Sequence, residues 1–146
     1  MRAESEFDVT GLDQAPYGDQ VESSDEDSDS GPKLARATVL KTFRRDLEGT
    51  STAELLMCQA DKTDLAAGAG YVASEVFNGE LDGKHGSFVT QHWGLSGSGM
   101  DPKTSGHVVP GSGTDELVGL TGSVEIAVSS EGKHTWTMEY ELPDSD

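Results

Sequence analysis

A single glutamate in an otherwise apolar, strand-like segment is the residue best placed for proton chemistry. Glu75 lies in the segment 71–77, on the same alternating face as two aromatic residues and an alanine. Burial on that face would raise the pKa of the carboxyl group, because desolvation disfavours the charged form. Such a group can act as a general acid or base, which is the chemistry of an isomerase or a cyclase. Tyr71, Gln91 and His92 are the candidate polar residues beside it.

The same glutamate also has a purely structural explanation. Lys41 lies on a predicted strand earlier in the chain and could pair with Glu75 inside the fold. Structural ion pairs perturb pKa values as catalytic ones do. Lys41 with Glu54 is a second possible cross-strand pair, and it too favours structure over chemistry. No catalytic residue is therefore assigned from the sequence.

Two further strands contribute candidate ligand contacts. In the segment 134–142, one face is apolar and carries Trp136 and Tyr140, and the other face is polar. The segment 87–92 mixes polar and apolar residues on both faces, so its pattern does not decide which face is the inner one. The predicted ligand-binding set is Tyr71, Glu75, Gln91, His92, Trp136 and Tyr140.

No metal or cofactor site is predicted. The four histidines lack the i, i+2 or i, i+4 spacing of metal ligands, and Cys58 is the single cysteine. Asp25, Asp27 and Asp29 alternate like Ca²⁺ loop ligands, but the glycine and glutamate that an EF-hand loop requires do not fall at the right positions. Ser112 lies in a Gly-Ser-Gly stretch that lacks the spacing of a nucleophile elbow, and it is predicted to form a turn.

The chain is strongly acidic, with a net charge of −17 from 27 acidic residues against 10 lysines and arginines. Nucleic acid binding requires the opposite sign to release counterions, and an anionic membrane surface would repel this chain. The acidic excess extends over the whole sequence. Because salt screens such self-repulsion over a Debye length of about 3 Å at 1 M, the composition indicates a halophilic source. An ordinary acidic protein with one acidic loop is the alternative.

The sequence favours a cytoplasmic protein. Residues 1–10 alternate charged with apolar residues and contain no apolar region typical of a signal peptide. No run of about 18 apolar residues is present, so no transmembrane segment is expected. A single cysteine also rules out an internal disulfide.

Glycine content and short apolar runs predict an all-β domain. The chain has 18 glycines, and its apolar runs are short and regularly spaced. We expect one domain, 1–146, with a mobile acidic loop at about 19–32, since that loop cannot offset its ordering entropy by burial. The Gly/Ser-rich stretch 94–105 is also expected to be a loop. The eight predicted strands are 6–10, 34–43, 51–59, 71–77, 87–92, 107–109, 123–129 and 134–142.

A repeated Leu-x-Gly triplet supports this strand count. It begins at Leu47, Leu81 and Leu117, and each copy is predicted to join two strands. Three copies with loops of unequal length between them fit hairpins of one small barrel better than a solenoid or a propeller. Residues 131–132, Glu-Gly, are predicted to form a two-residue hairpin turn. Closing the sheet into a barrel removes the edges that eight strands would otherwise expose.

Five blocks of sequence resemble a known family. They are Lys33-Leu-Ala-Arg-Ala-Thr-Val, Leu47-Glu-Gly-Thr-Ser-Thr-Ala-Glu-Leu-Leu-Met, Gly86-Ser-Phe-Val-Thr-Gln-His, Val108-Val-Pro-Gly-Ser-Gly-Thr and Glu116-Leu-Val-Gly-Leu-Thr-Gly. In this order they look like the family of the domain of unknown function 3224 (DUF3224). The resemblance implies an eight-stranded antiparallel β-barrel similar to allene oxide cyclase, usually oligomeric and without a settled activity. Two features depart from the family. The acidic run near residue 25 is longer and more acidic than expected, and Leu12 stands where the family pattern has a tryptophan.

The sequence leaves two functions open. In the first, the barrel binds a small apolar or amphipathic molecule in an interior cavity of roughly a few hundred Å³ that holds at least one polar group. In the second, the interior is filled, and the barrel is a structural or interaction module that acts as a homo-oligomer through an apolar outer face. Enzymatic activity rests on fold analogy alone and is not assigned.

Overall fold

The computed structural model describes residues 1–17, 32–61 and 67–143. The strands are β1 (Arg2–Pro16), β2 (Lys33–Arg45), β3 (Leu47–Gln59), β4 (Ala69–Leu81), β5 (Lys84–Gly97), β6 (Met100–Val108), β7 (Thr121–Val128) and β8 (His134–Glu141). Neighbours in sequence pair antiparallel, and β1 pairs with β8 to close the sheet. This confirms the all-β, eight-stranded antiparallel barrel predicted from the sequence. A short 3₁₀ helix, Asp115–Leu117, lies between β6 and β7. No helix in these ranges is long and apolar enough to cross a membrane.

Side chains alternate between the barrel interior and the outer surface along the strands. In β8, Trp136 and Tyr140 are buried while the residues next to them are not, which confirms the predicted apolar face. The alternation follows from the two-residue period of a strand. The inner face of β5, which the sequence left open, is that of Phe88, Thr90 and His92.

The prediction of a loop over 94–105 is wrong. β5 continues to Gly97 and β6 begins at Met100, so nearly the whole stretch belongs to a hairpin. Pro102 is tolerated in β6 because β7 pairs only with the last part of that strand. Among the described residues, Pro102 has no backbone pairing with β7, so the missing N–H of proline costs no hydrogen bond to that strand.

Of two hairpin turns predicted from the sequence, the structure confirms one and contradicts the other. Asp82 and Gly83 have φ of 50° and 82° and connect β4 to β5, as expected for an Asp-Gly pair in a two-residue hairpin turn. The prediction for residues 131–132 is wrong. The connection from β7 to β8 spans 129–133, and the backbone N–H of its first residue donates to the carbonyl of its last at 2.9 Å.

The repeated Leu-x-Gly triplets meet at one end of the barrel. Leu47 and Leu81 are paired across β3 and β4, and both are fully buried, as is Leu117 in the 3₁₀ helix. The glycines of this region allow a close approach of the strands. A Cβ added at Gly49 would lie 2.2 Å from a carbonyl oxygen of β4. This end of the barrel is filled, and we call it the closed end.

Aromatic rings fill the middle of the barrel. Phe43 contacts Phe7, Phe77 and Trp136, with ring centroids 5.1 to 5.5 Å apart. Phe77 also packs against Phe88 at 5.2 Å. All of these rings are at most 3% exposed. The filled interior expected of a packed barrel is thus present in this part of the molecule.

Among the described residues, the opposite end of the barrel is open because its strands differ in length. β8 pairs with β1 only over Arg2–Phe7, whereas β1 continues to Pro16. The β7–β8 hairpin therefore stops short, and β1 to β6 extend beyond it as a curved wall. We call this the open end. Of the acidic loop predicted at 19–32, only Pro32 belongs to the described residues, and the alternating aspartates at 25–29 lie outside them.

Candidate functional site

Glu75 lies in the middle of β4 on the inner face, at the centre of a buried group of polar residues. Its carboxylate accepts hydrogen bonds from Lys41 Nζ at 2.9 Å and Ser51 Oγ at 2.6 Å, and His92 Nε2 lies 2.8 Å from it. The Glu75 side chain is 1% exposed. The structure thus contains the Lys41–Glu75 pair considered from the sequence. The pairing of Lys41 with Glu54 is wrong, because Glu54 lies on the outer face of β3.

Aromatic rings shield the ammonium group of Lys41 from solvent. Nζ lies 4.5 Å from the ring centroid of Phe7 and 5.9 Å from that of Trp136. Cation–π contacts and the carboxylate of Glu75 together offset part of the cost of burying this charge. The alternation of β2 places Lys41 inside, one step along the inner face from Phe43.

The prediction that burial raises the pKa of Glu75 is wrong in its net result. Burial by itself raises this pKa, but the hydrogen bond with His92, the charge of Lys41 and the hydrogen bond from Ser51 outweigh it. The pKa of Glu75 therefore lies below its usual value. Glu75 is an anion at neutral pH and a poor general base. It acts as a fixed negative charge that orients its neighbours.

Tyr71 and His92 extend this group from Glu75 toward the open end. Tyr71 Oη lies 3.0 Å from His92 Nδ1, and the two rings meet edge to face with centroids 5.5 Å apart. Burial, and then the charge of Glu75, raise the pKa of Tyr71 to about 12, so its phenol is neutral at pH 7. We call Lys41, Ser51, Tyr71, Glu75 and His92 the polar cluster.

Two glycines on neighbouring strands make room for the polar cluster. Gly94 pairs with Tyr71, and a Cβ at Gly94 would lie 2.4 Å from the tyrosine ring. Gly106 pairs with His92, and a Cβ at Gly106 would lie 2.4 Å from His92 Cβ. The sequence predicts a loop at Gly94, but the structure requires glycine there because any side chain would clash with the Tyr71 ring.

The remaining sequence-predicted residues are divided between the core, the outer surface and the closed end. Trp136 is buried, with its ring centroid 6.2 Å from that of His92. Gln91 lies on the outer face, where its amide donates to a serine hydroxyl at 3.1 Å, so it is not part of the interior site. Tyr140 lies at the closed end and donates to the carboxylate of Asp82. Burial and that hydrogen bond raise the pKa of Tyr140.

Two buried polar atoms near the polar cluster have no hydrogen-bond partner among the described residues. They are Thr90 Oγ1 and Trp136 Nε1. Thr90 is paired directly with Glu75 across β4 and β5, and sequence reasoning did not single it out. Buried polar atoms usually have a partner, so both positions suit an ordered water or a polar atom of a ligand.

A cavity of about 860 Å³ occupies the open end. It is lined by the extended parts of β1 to β6, and Tyr71 is the member of the polar cluster that borders it. Leu12 is 64% exposed and does not line this cavity, so its departure from the family pattern does not alter the cavity wall. Other lining residues include Gln14, Pro16, Lys33, Ala35, Met57, Gln59, Ala69, Leu95, Ser96, Lys103 and Thr104.

The Val-Val-Pro-Gly-Ser-Gly-Thr motif has a structural role. Ser112 Oγ accepts a hydrogen bond from the backbone N–H of Val89 at 3.0 Å, and Thr114 Oγ1 accepts one from that of Ser87 at 3.0 Å. These side chains continue the hydrogen bonding of the β5 edge beyond the end of β6. A backbone hydrogen bond from Ser112 to Val109 at 3.1 Å confirms the predicted turn.

The histidines that the structure describes do not converge on one site. His92 belongs to the polar cluster, and His134 packs against Phe7 with ring centroids 5.0 Å apart. Within 1–17, 32–61 and 67–143, no group of three or more His, Cys, Asp or Glu side chains is placed to hold a metal ion.

Comparison with known proteins identifies the family of this chain. The profile of the family described as "Protein of unknown function (DUF3224)" matches residues 3–140. The crystal structure of a protein with unknown function from the DUF3224 family of Shewanella oneidensis MR-1 has a TM-score of 0.76 and 30% sequence identity. That match covers 99% of this chain and 98% of the other. No curated protein matches the chain. The chain therefore belongs to the DUF3224 family of proteins of unknown function, as its sequence blocks predicted.

Proposed function

We propose that this protein binds a small apolar or amphipathic molecule in the open-end cavity, with Tyr71 as a polar contact. The cavity volume of about 860 Å³ lies within the range of small-molecule sites. Ala35, Met57 and Leu95 supply apolar surface, and polar side chains such as Tyr71 and Thr104 also line the cavity, as in known ligand pockets.

The polar cluster beneath the cavity is the observation that carries this proposal. A buried ion pair contributes little net stability compared with well-packed apolar residues of the same volume. The closed end of the barrel shows that this chain can fill its interior with leucine and aromatic side chains. A lysine and a glutamate held behind Tyr71 and His92 are therefore better explained by a role at the cavity than by stability.

Filling the cavity tests the proposal. Ala35→Phe places a ring into the cavity from its wall, and we expect it to abolish the fluorescence rise of the apolar dye Nile red on binding. Ala127→Phe is the matched control, because Ala127 is exposed on β7 and does not line the cavity. Equal Nile red binding by both variants and the parent protein, with melting temperatures unchanged, would argue against the cavity as the binding site.

A second candidate function is self-association through the outer face of β3, β4 and β5. Leu56, Val72 and Trp93 are directly paired across these strands and form a continuous apolar row. Their exposed fractions are 45%, 56% and 40%, so the row is open to solvent. An apolar patch of this kind on a charged protein is typical of an interaction surface. A second copy of the chain fits it, since two antiparallel rows can pack against each other around a two-fold axis.

Changing the centre of the row tests self-association. Val72→Lys introduces a charge that two facing copies would bring together, and we expect it to convert an oligomer to a monomer in sedimentation velocity. Val128→Lys is the matched control, because Val128 is 60% exposed on β7, away from the row. A monomeric parent protein at 0.1 mM would exclude this candidate.

A further inference from the structure

The hydrogen bonds of the polar cluster can be assigned a donor and an acceptor. Glu75 is ionised, so both carboxylate oxygens only accept hydrogen bonds. His92 Nε2 lies 2.8 Å from one of them and must therefore carry a proton to donate. Lys41 Nζ contacts the same carboxylate oxygen as His92 Nε2, and its ammonium disfavours a second positive charge beside it. The imidazole is therefore assigned as neutral, so its other ring nitrogen has no proton and is an acceptor.

This assignment determines what Tyr71 offers to the cavity. His92 Nδ1 is an acceptor, so the single proton of the Tyr71 hydroxyl is donated to it across the 3.0 Å contact. The phenol oxygen keeps its lone pairs, and no described residue donates a hydrogen bond to it. Because Tyr71 borders the open-end cavity, it presents an acceptor and no donor to a molecule there.

We infer that the ligand of the open-end cavity is an apolar molecule with a hydroxyl or N–H group, whose proton is donated to Tyr71 Oη. An alcohol or a phenol has this chemistry, whereas an ether, a ketone or an ester would place an acceptor against the tyrosine lone pairs. Buried sites that expect a hydrogen bond discriminate against analogues that cannot make it. This inference rests on the proposed ligand-binding function and specifies the class of ligand.

The side chains around His92 hold its ring in place. Glu75 faces Nε2 from β4, Lys41 approaches the same carboxylate from β2, and the Trp136 ring packs against the imidazole from β8. Gly106 on β6 lies against His92 Cβ and contributes no charged group. The negative charge of Glu75 thus orients the imidazole so that its Nε2–H points at the carboxylate.

A pair of closely matched probes tests the inference. 2-Naphthol has a hydroxyl donor, and 2-methoxynaphthalene has the same ring without the donor. The Kd of each is measured by fluorescence titration at pH 7 with the parent protein, with Tyr71→Phe and with Tyr140→Phe. Tyr71→Phe keeps the ring over Gly94 and removes only the hydroxyl group. Tyr140→Phe is the matched control, because Tyr140 lies at the closed end.

The expected result is a change in the ratio of the two affinities. One hydrogen bond changes a Kd by about five-fold, so Tyr71→Phe should reduce the preference for 2-naphthol by about that factor. Tyr140→Phe should leave the ratio unchanged. If both probes bind but their affinity ratio is the same in Tyr71→Phe, the ligand class is wrong while the binding function stands. If neither probe binds the parent protein, the proposed function itself fails for ligands of this size.

Discussion

The Glu75→Gln substitution measures how strongly the polar cluster depends on its charge. Glutamine has nearly the same shape, but it leaves the buried Lys41 ammonium without a counter-ion and disturbs the contact with His92. Removing one partner of a buried ion pair costs about 3 to 5 kcal/mol in the free energy of unfolding. We expect about 3 kcal/mol, because the amide oxygen still accepts one hydrogen bond. For a domain of this size that lowers the melting temperature by roughly 6 to 12 °C.

Thermal unfolding by circular dichroism measures this effect, with Glu54→Gln as the matched control. Glu54 lies on the outer face of β3 and accepts a hydrogen bond from Thr38. Its replacement should change the stability by less than about 0.5 kcal/mol. A Glu75→Gln protein that melts at the temperature of the parent would refute the view that the carboxylate compensates the buried lysine.

The double variant Lys41→Met/Glu75→Leu separates stability from function. Apolar side chains of similar volume replace both charges, so the stability should recover to within about 1 kcal/mol of the parent or exceed it. A double variant as unstable as Glu75→Gln alone would mean that the ion pair is needed for folding. The polar cluster would then have a structural role that explains its presence without a ligand.

Three further predictions follow from charge and packing. The folded-state pKa of Glu75 is depressed, so its contribution to stability is present above the ordinary carboxyl pKa of 4.5 and is lost as pH falls through the lower folded value. Urea unfolding between pH 7 and pH 3 should show this loss in the parent and less of it in Glu75→Gln. The net charge of −17 predicts that raising NaCl from about 0.1 to about 1 M increases the melting temperature, and a fall would contradict the halophilic interpretation. Gly94→Ala should displace the Tyr71 ring and weaken 2-naphthol binding, whereas Gly97→Ala, with its nearest neighbour at 3.6 Å, should not.

The barrel itself was predictable because strand alternation is a local property of the sequence. The apolar face with Trp136 and Tyr140 is visible in a single strand, and so is the shared face of Glu75 and Tyr71. β5 was ambiguous because both of its faces mix polar with apolar residues. Only the pairing of His92 with Gly106 and Ala73 in the closed barrel shows which face is inside.

The incorrect predictions from the sequence also have physical causes. The sequence predicts a loop at Gly94 because the usual reason for glycine is backbone freedom, whereas in the structure the Tyr71 ring occupies the space of its Cβ. The direction of the Glu75 pKa shift depends on three hydrogen-bond partners from three other strands, which no local pattern reveals. The open-end cavity arises from differences in strand length around the barrel, so its existence follows from the three-dimensional pairing and not from any one segment.

The most direct test of the central claim is a crystal structure of the protein grown with 2-naphthol. We expect electron density for the ring in the open-end cavity near Ala35 and Leu95, with the naphthol oxygen within hydrogen-bonding distance of Tyr71 Oη. Density elsewhere, or a cavity that holds only solvent while 2-naphthol lies along the row of Leu56, Val72 and Trp93, would contradict it.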